Sequence, residues 1–295
     1  MLVAITGSSG LIGTALQRAL KERGDDVVRV VRSSPRSGDA LWDIEAGTID
    51  TEALAGVDAV VHLAGAGIGD AKWSAEYKRE LTESRTLSTA LLADTIAELE
   101  PQPSVFISGS AIGYYGDRGN EELREQADPG TGFLADMVQE WEAAAQPAID
   151  AGIRTAFIRT GVVLSAAGGA LKEQLPFFKM GIGGKIGDGS QYWSWVSITD
   201  QVNAILHIID GDLSGPVNVT APNPSTNAEF TKALGKAVGR PTFLPTPRFA
   251  VDLRLGKEAA QDMLFTSAKV LPGALIDSGF AFAHPTIDEA FEAVL

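Results

Sequence analysis

The sequence predicts an α/β protein with a Rossmann-type, doubly wound parallel sheet and a smaller C-terminal α/β lobe. Over residues 1–165, short apolar runs alternate with longer stretches of helical periodicity, the pattern of a parallel sheet covered by helices on both faces. After Leu164 this alternation stops and a glycine-rich stretch follows. We therefore expect a first domain over 1–165, to which 197–221 returns, and a second lobe over 166–295.

The predicted elements follow one another in chain order. Leu2–Thr6 reads as a buried strand, and Leu11–Arg23 reads as a helix whose Ile12, Leu16 and Leu20 form one apolar face. Gly24 ends that helix. Further strands are predicted at 27–31, 59–63, 105–107, 155–159 and 216–220. Further helices are predicted at 74–99, 133–149, 227–238 and 248–264, before a tail over 287–295.

The composition excludes several classes of chemistry and of binding partner. The chain has 24 basic and 38 acidic residues, a net charge of −14, and no cysteine. Thiolate, disulfide and iron–sulfur chemistry are therefore excluded, and redox work would need an organic cofactor. The negative charge argues against nucleic acid or an anionic membrane as a partner. The N-terminal strand resembles neither a signal peptide nor a membrane span. We expect a cytoplasmic protein with a small-molecule substrate and a homodimeric state.

The segment from Thr6 to Gly13 carries the main functional argument. Its glycines have G-x-x-G-x-x-G spacing and lie where a strand turns into a helix. Such a turn presents backbone amides and the positive end of a helix dipole to a phosphate. We interpret it as a pyrophosphate cradle with Gly7, Gly10, Leu11, Ile12 and Gly13 as contacts. The alternative is a purely structural turn.

The end of the second predicted strand favours NADP(H) over NAD(H). An acidic residue at this position usually binds the free ribose hydroxyls, whereas arginine binds a 2′-phosphate. Here the strand is followed by Arg32, Ser33 and Arg36, and no carboxylate comes before Asp39. We predict Arg32 as the phosphate contact, assisted by Ser33 or Arg36. The alternative is a solvated arginine at the end of a strand.

With these motifs in hand, the chain resembles the extended short-chain dehydrogenase/reductase superfamily, and within it the SulA-like epimerase family proteins, which are often labelled nucleoside-diphosphate-sugar epimerases. The resemblance covers essentially the whole chain, and residues 247–295 resemble the small C-terminal domain of unknown function of these proteins. The matching segments are Thr6–Gly13, Trp42-Asp43, Asp58–Gly65, Trp73, Lys78–Glu80, Ser84-Arg85, Ser108–Ala111, Tyr114–Gly116, Phe133, Trp141-Glu142, Arg159–Leu164, Gly181–Gly189, Gln191, Trp195, Asp200, Asn218 and Thr226-Asn227. The resemblance implies cofactor contacts at the glycine cradle, Arg32, Leu63, Ala64, Gly65, Glu80, Arg85 and Ser108.

The usual catalytic pair of the superfamily is missing. Its enzymes use a Ser, a Tyr and a Lys, with Tyr and Lys four residues apart on one helix, where the Lys lowers the pKa of the Tyr. The corresponding positions here resemble Phe133 and Met137. Ser110 remains as a donor to a substrate carbonyl. We hypothesise that Tyr115, or else Tyr114, replaces the missing acid; the alternative is that both tyrosines only pack against the following loop.

A second candidate region is the glycine-rich loop Gly181–Gly189, which we interpret as a lid, with a mobile surface connection as the alternative. Lys179, Gln191 and Trp195 flank it and are the predicted substrate contacts. The three histidines lack the spacing of metal ligands, so no metal is predicted. The leading function is an NADP(H)-dependent oxidoreductase or epimerase-like enzyme acting on a small carbonyl, hydroxyl or nucleotide-sugar compound. The alternative is an NADP(H)-binding sensor without turnover.

Overall fold

The structure, a computed structural model, describes all 295 residues. Its strands are β1 (Leu2–Thr6), β2 (Asp26–Val31), β3 (Ala40–Asp43), β4 (Thr48–Ile49), β5 (Ala59–His62), β6 (Val105–Ala111), β7 (Glu122–Leu123), β8 (Arg154–Thr160), β9 (Val162–Leu164), β10 (Tyr192–Trp193), β11 (Trp195–Ser197), β12 (Gly215–Val219), β13 (Ser225–Thr226) and β14 (Lys269–Val270).

Its helices are α1 (Leu11–Arg23), α2 (Ala75–Ala97), α3 (Phe133–Ala143), α4 (Gln146–Asp150), α5 (Gly169–Lys179), α6 (Ile198–Asp210), α7 (Asn227–Ala237), α8 (Arg248–Leu255), α9 (Lys257–Ala260), α10 (Gly273–Asp277) and α11 (Ile287–Val294). A 3₁₀ turn spans Ile112–Tyr115, and a π turn spans Gln261–Phe265. None of the helices combines the length and the hydropathy that a membrane span requires.

Eight strands form the central sheet, in the order β12-β8-β6-β5-β1-β2-β3-β4. Every neighbouring pair is parallel except β3 and β4. The chain moves from β1 toward β2 in one direction and from β5 toward β6 in the other. The order therefore reverses between β1 and β5, and ligands of such sheets bind beyond the carboxyl ends of the strands at that point. The predicted Rossmann-type fold is confirmed.

Helices cover both faces of this sheet. On one face, Leu16 and Leu20 of α1 pack with Ile205 and Ile208 of α6 against the strands. On the other, Leu92 and its neighbours of α2 pack beneath β1, β2 and β5. Because both faces are covered, the central strands are apolar over most of their length, as expected for a parallel sheet, and polar residues such as His62 and Ser108 come toward their carboxyl ends.

The C-terminal residues are not detached from the sheet. A third core forms between α5, α7 and α11, but β14 pairs with β7, and Leu275 of α10 packs into the core of the central sheet beside β12. The segment 197–221 contributes α6 and β12, and β12 pairs with β8. A boundary at residue 165 stays a prediction.

Two predicted helices are each divided in the structure. The helix expected over 133–149 is split into α3 and α4, because Pro147 in the first turn of α4 has no amide hydrogen to continue the ladder of α3. The helix expected over 248–264 is interrupted at Gly256, which has φ of +87°, and continues as α9 and the π turn. The helix α5 was not predicted.

Candidate functional site

The turn between β1 and α1 brings backbone amides to the carboxyl edge of the sheet. Gly7 has φ of +62°, and a Cβ on it would lie 2.6 Å from the Leu63 carbonyl oxygen. A Cβ on Gly13 would lie 2.4 Å from the Gly7 carbonyl oxygen. Gly10 precedes α1, whose first turn has neither a side-chain cap nor an acidic residue. These amides are therefore free to hold an anion such as a diphosphate.

A cleft of about 760 Å³ runs from this turn along the edge of the sheet, a volume typical of ligand sites. The structure places most of the predicted cofactor residues around it. Gly7 and Gly10 come from the turn, Arg32 and Ser33 follow β2, and Glu80 lies on α2. Leu63, Ala64 and Gly65 follow β5. Leu11, Ile12 and Gly13 line an adjoining cavity of about 250 Å³, together with Ser110.

The end of the cleft beside β2 is rich in arginine. Arg32 is exposed, lines the cleft and forms no ion pair within the chain. Arg29 donates from Nε to Asp39 Oδ1 at 2.8 Å, and the Arg36 amide donates to Asp39 Oδ2 at 2.6 Å. Burial alone would raise the pKa of Asp39, but these hydrogen bonds lower it below its ordinary value. The charge of the Asp39 carboxylate is thus compensated by its neighbours, and Arg32 has no acidic partner within the chain.

A buried chain of hydrogen bonds holds the loop that follows β5. The amides of Leu63 and Ala64 donate to Thr6 Oγ1 at 3.0 and 3.1 Å. Thr6 Oγ1 lies 2.7 Å from His62 Nδ1, and His62 Nε2 lies 3.1 Å from Ser88 Oγ. Since Thr6 accepts two amides, its proton goes to Nδ1, and Nε2 carries the histidine proton. Burial, with the charge of Arg85, lowers the pKa of His62 to about 3, so the ring is neutral.

Arg85 supports this loop from beneath and does not line the cleft, contrary to the expectation of a cofactor contact. It donates to the carbonyl oxygens of Leu81 at 2.9 Å and Ala66 at 3.0 Å. Its Nε is buried without a partner, and burial lowers the pKa of the guanidinium. A Cβ on Gly65 would lie 3.3 Å from Arg85 Cζ. Arg85 therefore holds the loop after β5 at a fixed distance from α2.

Ser110 lines the adjoining cavity, where its hydroxyl already donates a hydrogen bond within the protein. Ser110 Oγ donates to Glu142 Oε1 at 2.6 Å. Arg159 donates to both oxygens of Glu142, at 2.8 Å each. The predicted donation from Ser110 to a substrate carbonyl is thus not available in this arrangement, and Ser110 offers an acceptor. Ser108 is fully buried and bonds only to the Gly109 carbonyl, so its side chain does not reach the cleft, contrary to expectation.

Tyr115, the preferred replacement acid, does not face the cleft. Its side chain is 0% exposed. Its hydroxyl donates to Asn218 Oδ1 at 2.6 Å and accepts from Arg159 Nη1 at 3.1 Å, and burial raises its pKa. Tyr114 is half-buried, with the Arg159 guanidinium 3.4 Å from its ring centre. The structure therefore contradicts the preference for Tyr115 and leaves Tyr114 as the accessible tyrosine.

The helix face expected to carry Tyr and Lys carries apolar side chains. Phe133 begins α3 and is half-buried, with Trp73 edge-on at 5.1 Å between ring centres. Met137, one turn later, is 4% exposed and packs with Leu81 and Val138. Neither a hydroxyl nor an ammonium is present on this face. Lys78 of α2 approaches it instead, with Nζ 5.1 Å from the centre of the Phe133 ring.

The predicted substrate contacts are not brought together. Gln191 and Trp195 are buried and serve the fold: Gln191 Nε2 donates to the carbonyls of Ile186 and Leu264, and Trp195 Nε1 donates to Ser225 Oγ at 2.9 Å. Lys179 is exposed at the end of α5, away from the cleft.

The Gly181–Gly189 loop is held along its length. The Ile186 amide donates to Asn227 Oδ1 at 2.7 Å, and the Thr246 amide donates to the Lys185 carbonyl at 2.8 Å. A Cβ on Gly184 would lie 1.6 Å from the Leu244 carbonyl oxygen, so the two backbones are in direct contact. Movement of this loop on ligand binding stays a prediction.

Several residues that support the site were not singled out by the sequence reasoning. Arg29 pairs with Asp39, 10 positions away, and Arg159 pairs with Glu142, 17 positions away. Glu142 and Arg159 appeared only within matching segments. Glu258, the partner of Lys78, lies 180 positions away. No group of three or more His, Asp or Glu side chains is arranged to hold a metal ion.

The chain is similar to known proteins over essentially its whole length. Residues 3–220 match the model of the NAD dependent epimerase/dehydratase family, and residues 246–294 match a domain of unknown function, DUF1731. The epimerase family protein ML0860 of Mycobacterium leprae is 45% identical over 98% of this chain and 94% of its own length.

Two crystal structures share the fold over the whole of this chain. One is the crystal structure of the human epimerase family protein SDR39U1 (isoform2) with NADPH. It has a TM-score of 0.92 and is 32% identical in sequence, and the match covers 99% of the human chain. The other is the crystal structure of the nucleoside-diphosphate sugar epimerase from Corynebacterium glutamicum. It has a TM-score of 0.81 and is 38% identical in sequence, and the match covers 58% of the Corynebacterium chain.

Proposed function

Because the chain belongs to the NAD dependent epimerase/dehydratase family, of the extended short-chain dehydrogenase/reductase type, we propose that it is an NADP(H)-dependent oxidoreductase or epimerase-like enzyme. One observation carries the choice of cofactor. Arg32 lines the cleft unpaired, while Asp39 is held by Arg29 and by the Arg36 amide. A 2′-phosphate could therefore bind the Arg32 guanidinium without repulsion from Asp39, whose charge is already compensated. A ribose with free hydroxyls would have no available carboxylate to bind.

The glycine turn fits the rest of the cofactor. Gly7 and Gly13, where a Cβ would clash with the backbone, allow the turn to fold tightly, and the amides at the start of α1 would then bind a diphosphate. Leu63, Ala64 and Gly65 would hold the middle of the dinucleotide. When bound, the reduced cofactor supplies a hydride. The human relative, 32% identical over the whole chain, was crystallised with NADPH, which supports this assignment.

Calorimetry with NADPH and NADH tests the proposal. Arg32→Asp removes one charge-assisted contact, worth about 1.5–3 kcal/mol, so the Kd for NADPH should rise at least tenfold while that for NADH changes little. Arg18→Asp, the same change on the exposed face of α1, is the matched control and should leave both Kd values unchanged. The proposal fails if the wild type gives no heat with NADPH, or if Arg32→Asp behaves like the control.

For the substrate, we propose a small carbonyl or hydroxyl compound. Ser110 offers an acceptor in the cavity that adjoins the cleft, which suits the hydroxyl of an alcohol or a sugar. The Corynebacterium glutamicum relative is described as a nucleoside-diphosphate sugar epimerase. Nucleotide sugars therefore belong in the panel of compounds assayed with NADP⁺.

A second candidate function is an NADP(H)-binding regulator without turnover. It is favoured by the residues of α3, where the superfamily has its catalytic tyrosine and lysine. Phe133 and Met137 carry no proton to transfer, and the Tyr115 hydroxyl is bound to Asn218. Tight NADPH binding without consumption over a broad carbonyl panel would support the regulator. Steady oxidation of NADPH by any compound would support the enzyme.

A further inference from the structure

Three polar side chains line the cavity that adjoins the cofactor cleft, and each already donates its hydrogen to a partner inside the protein. They belong to Ser110, Trp141 and Thr160. Ser110 Oγ donates to Glu142 Oε1 at 2.6 Å. Trp141 Nε1 donates to a threonine hydroxyl of α2 at 3.0 Å, and Thr160 Oγ1 donates to a backbone carbonyl of β8 at 3.2 Å. The side chains of this cavity therefore offer hydrogen-bond acceptors to a ligand and no free donor.

The direction of the Ser110 hydrogen bond is set by Glu142. An ionised carboxylate has no hydrogen to donate, so Ser110 must be the donor between the two. Arg159 pairs with this carboxylate, because its Nε and Nη2 donate to the two oxygens of Glu142 at 2.8 Å each. Ser110 and Arg159 are direct partners in the register of β6 and β8. Glu142, from α3, thus accepts hydrogen bonds from both side chains at once.

Arg159 is fixed from its other side as well. Its Nη1 donates to the Tyr115 hydroxyl at 3.1 Å and to the Glu125 carbonyl at 3.2 Å, and its side chain is 4% exposed. Burial alone would lower the pKa of the guanidinium, but the hydrogen bonds and the charge of Glu142 raise it above its ordinary value. Both members of the pair keep their charges, and a hydrogen bond to a charged carboxylate is about twice as strong as one between neutral groups. The Ser110 hydrogen therefore stays on Glu142.

We propose that Glu142 is a positioning residue that sets the specificity of this cavity: by holding the Ser110 hydrogen, it makes the cavity bind a ligand hydroxyl in preference to a carbonyl. A hydroxyl can donate to Ser110 Oγ, whereas a carbonyl oxygen would face lone pairs with no hydrogen between them. The backbone amides at the start of α1 also border the cavity, but the proposed function assigns them to the diphosphate. The inference rests on that proposed function, and it selects the alcohol as the form of the substrate that binds.

The test uses cyclohexanol and cyclohexanone, which differ at the oxygen that Ser110 would contact. Each is titrated into the full-length protein without added cofactor, so that neither compound can react. Binding is followed by the ¹⁵N indole resonance of Trp141, which lines the cavity and is assigned by its loss in Trp141→Phe. One net hydrogen bond changes a Kd by roughly two- to tenfold. The wild type should therefore bind cyclohexanol at least about threefold more tightly than cyclohexanone.

Ser110→Ala removes the acceptor and keeps the pair of Glu142 and Arg159. The ratio of the cyclohexanone Kd to the cyclohexanol Kd should therefore fall at least about threefold. Ser108→Ala is the matched control, because Ser108 lies two residues earlier in β6 and bonds only to the Gly109 carbonyl. It should leave the ratio unchanged. The Kd for NADPH, measured separately by calorimetry, should stay near the wild-type value in both variants.

Glu142→Leu tests the positioning itself. Leucine fills a similar volume but accepts no hydrogen bond, so the Ser110 hydroxyl becomes free to donate into the cavity. Cyclohexanone should then bind at least about threefold more tightly than it binds the wild type, a gain that a purely structural role of Glu142 would not produce. This variant leaves Arg159 buried and unpaired, so circular dichroism first establishes that it is folded. If it is not, Ser110→Ala alone decides.

The outcomes separate this inference from the proposed function. A wild type that binds no NADPH refutes the proposed function, whereas the preference of the cavity is measured without cofactor. The inference is overturned if neither probe moves the Trp141 resonance, or if the ratio in Ser110→Ala equals that of the wild type. It is also overturned if Ser110→Ala weakens NADPH binding instead, because Ser110 would then serve the cofactor. A folded Glu142→Leu that binds cyclohexanone no better than the wild type overturns it too.

Discussion

A methyl group at Gly13 should disable the anion cradle. In Gly13→Ala the added Cβ would lie 2.4 Å from the Gly7 carbonyl oxygen and 2.8 Å from Ser8 Cα, against an ordinary contact of at least 3.4 Å. The turn must therefore move by about 1 Å (3.4 − 2.4 = 1.0), and overpacking of this kind costs about 1–3 kcal/mol. That movement displaces the amides ahead of α1. Losing one charge-assisted hydrogen bond costs about 2 kcal/mol, or roughly thirtyfold in Kd.

The matched control lies at the other end of the same helix. Gly24 has φ of +89° and nothing within 4 Å of a built Cβ, so Gly24→Ala should cost about 1 kcal/mol through backbone strain alone. Urea unfolding should therefore show a loss of stability in both variants. Calorimetry should show weaker NADPH binding only for Gly13→Ala. If Gly13→Ala binds NADPH within threefold of the wild type, or if Gly24→Ala weakens binding equally, the assignment of the cradle is refuted.

Three further predictions concern charges around the cleft. Arg29→Ala frees the Asp39 carboxylate, so the ratio of the NADH to the NADPH Kd should fall about tenfold through like-charge repulsion, as calorimetry would show. His62 binds a proton near pH 3 when folded and at about 6.5 when unfolded, so the free energy of unfolding should fall as the pH drops through this window, by at most about 1.4 kcal/mol per pH unit. Urea unfolding of His62→Gln should lack that part of the slope. Glu142→Gln leaves a buried arginine unpaired and should cost about 3 kcal/mol, whereas Glu173→Gln, in an exposed ion pair, should cost less than about 1 kcal/mol, as urea unfolding would show.

The sheet and its switch point follow from local signals. β-Branched and apolar runs bounded by turns mark the strands, and the Thr6–Gly13 spacing marks the one turn where backbone must approach both a ligand and β5. Arg32 was predicted because it follows β2 directly in the chain. Site residues that directly follow a strand in the chain can thus be predicted from the sequence.

Burial of polar side chains was not visible in the same way. The residue types Tyr, Gln and Trp are common in ligand sites. In this protein, however, the polar atoms of Tyr115, Gln191 and Trp195 form hydrogen bonds with partners that only the tertiary fold brings close. The Tyr115 hydroxyl bonds to Asn218, 103 positions later. Sequence proximity to a glycine loop or to β6 cannot reveal such a partner, because a hydrogen bond across the sheet depends on strand order.

The packing of α3 explains why this helix does not carry the tyrosine and lysine of the superfamily. Met137 is 4% exposed among Leu81 and Val138, so a lysine there would have to bury an ammonium in apolar surroundings, where its charged form is strongly disfavoured. Phe133, in contrast, is half-buried and already touched by an ammonium from outside its own helix. An ammonium can therefore lie beside Phe133 without being buried in this core, because Lys78 comes from another element and is held by a carboxylate of the C-terminal region.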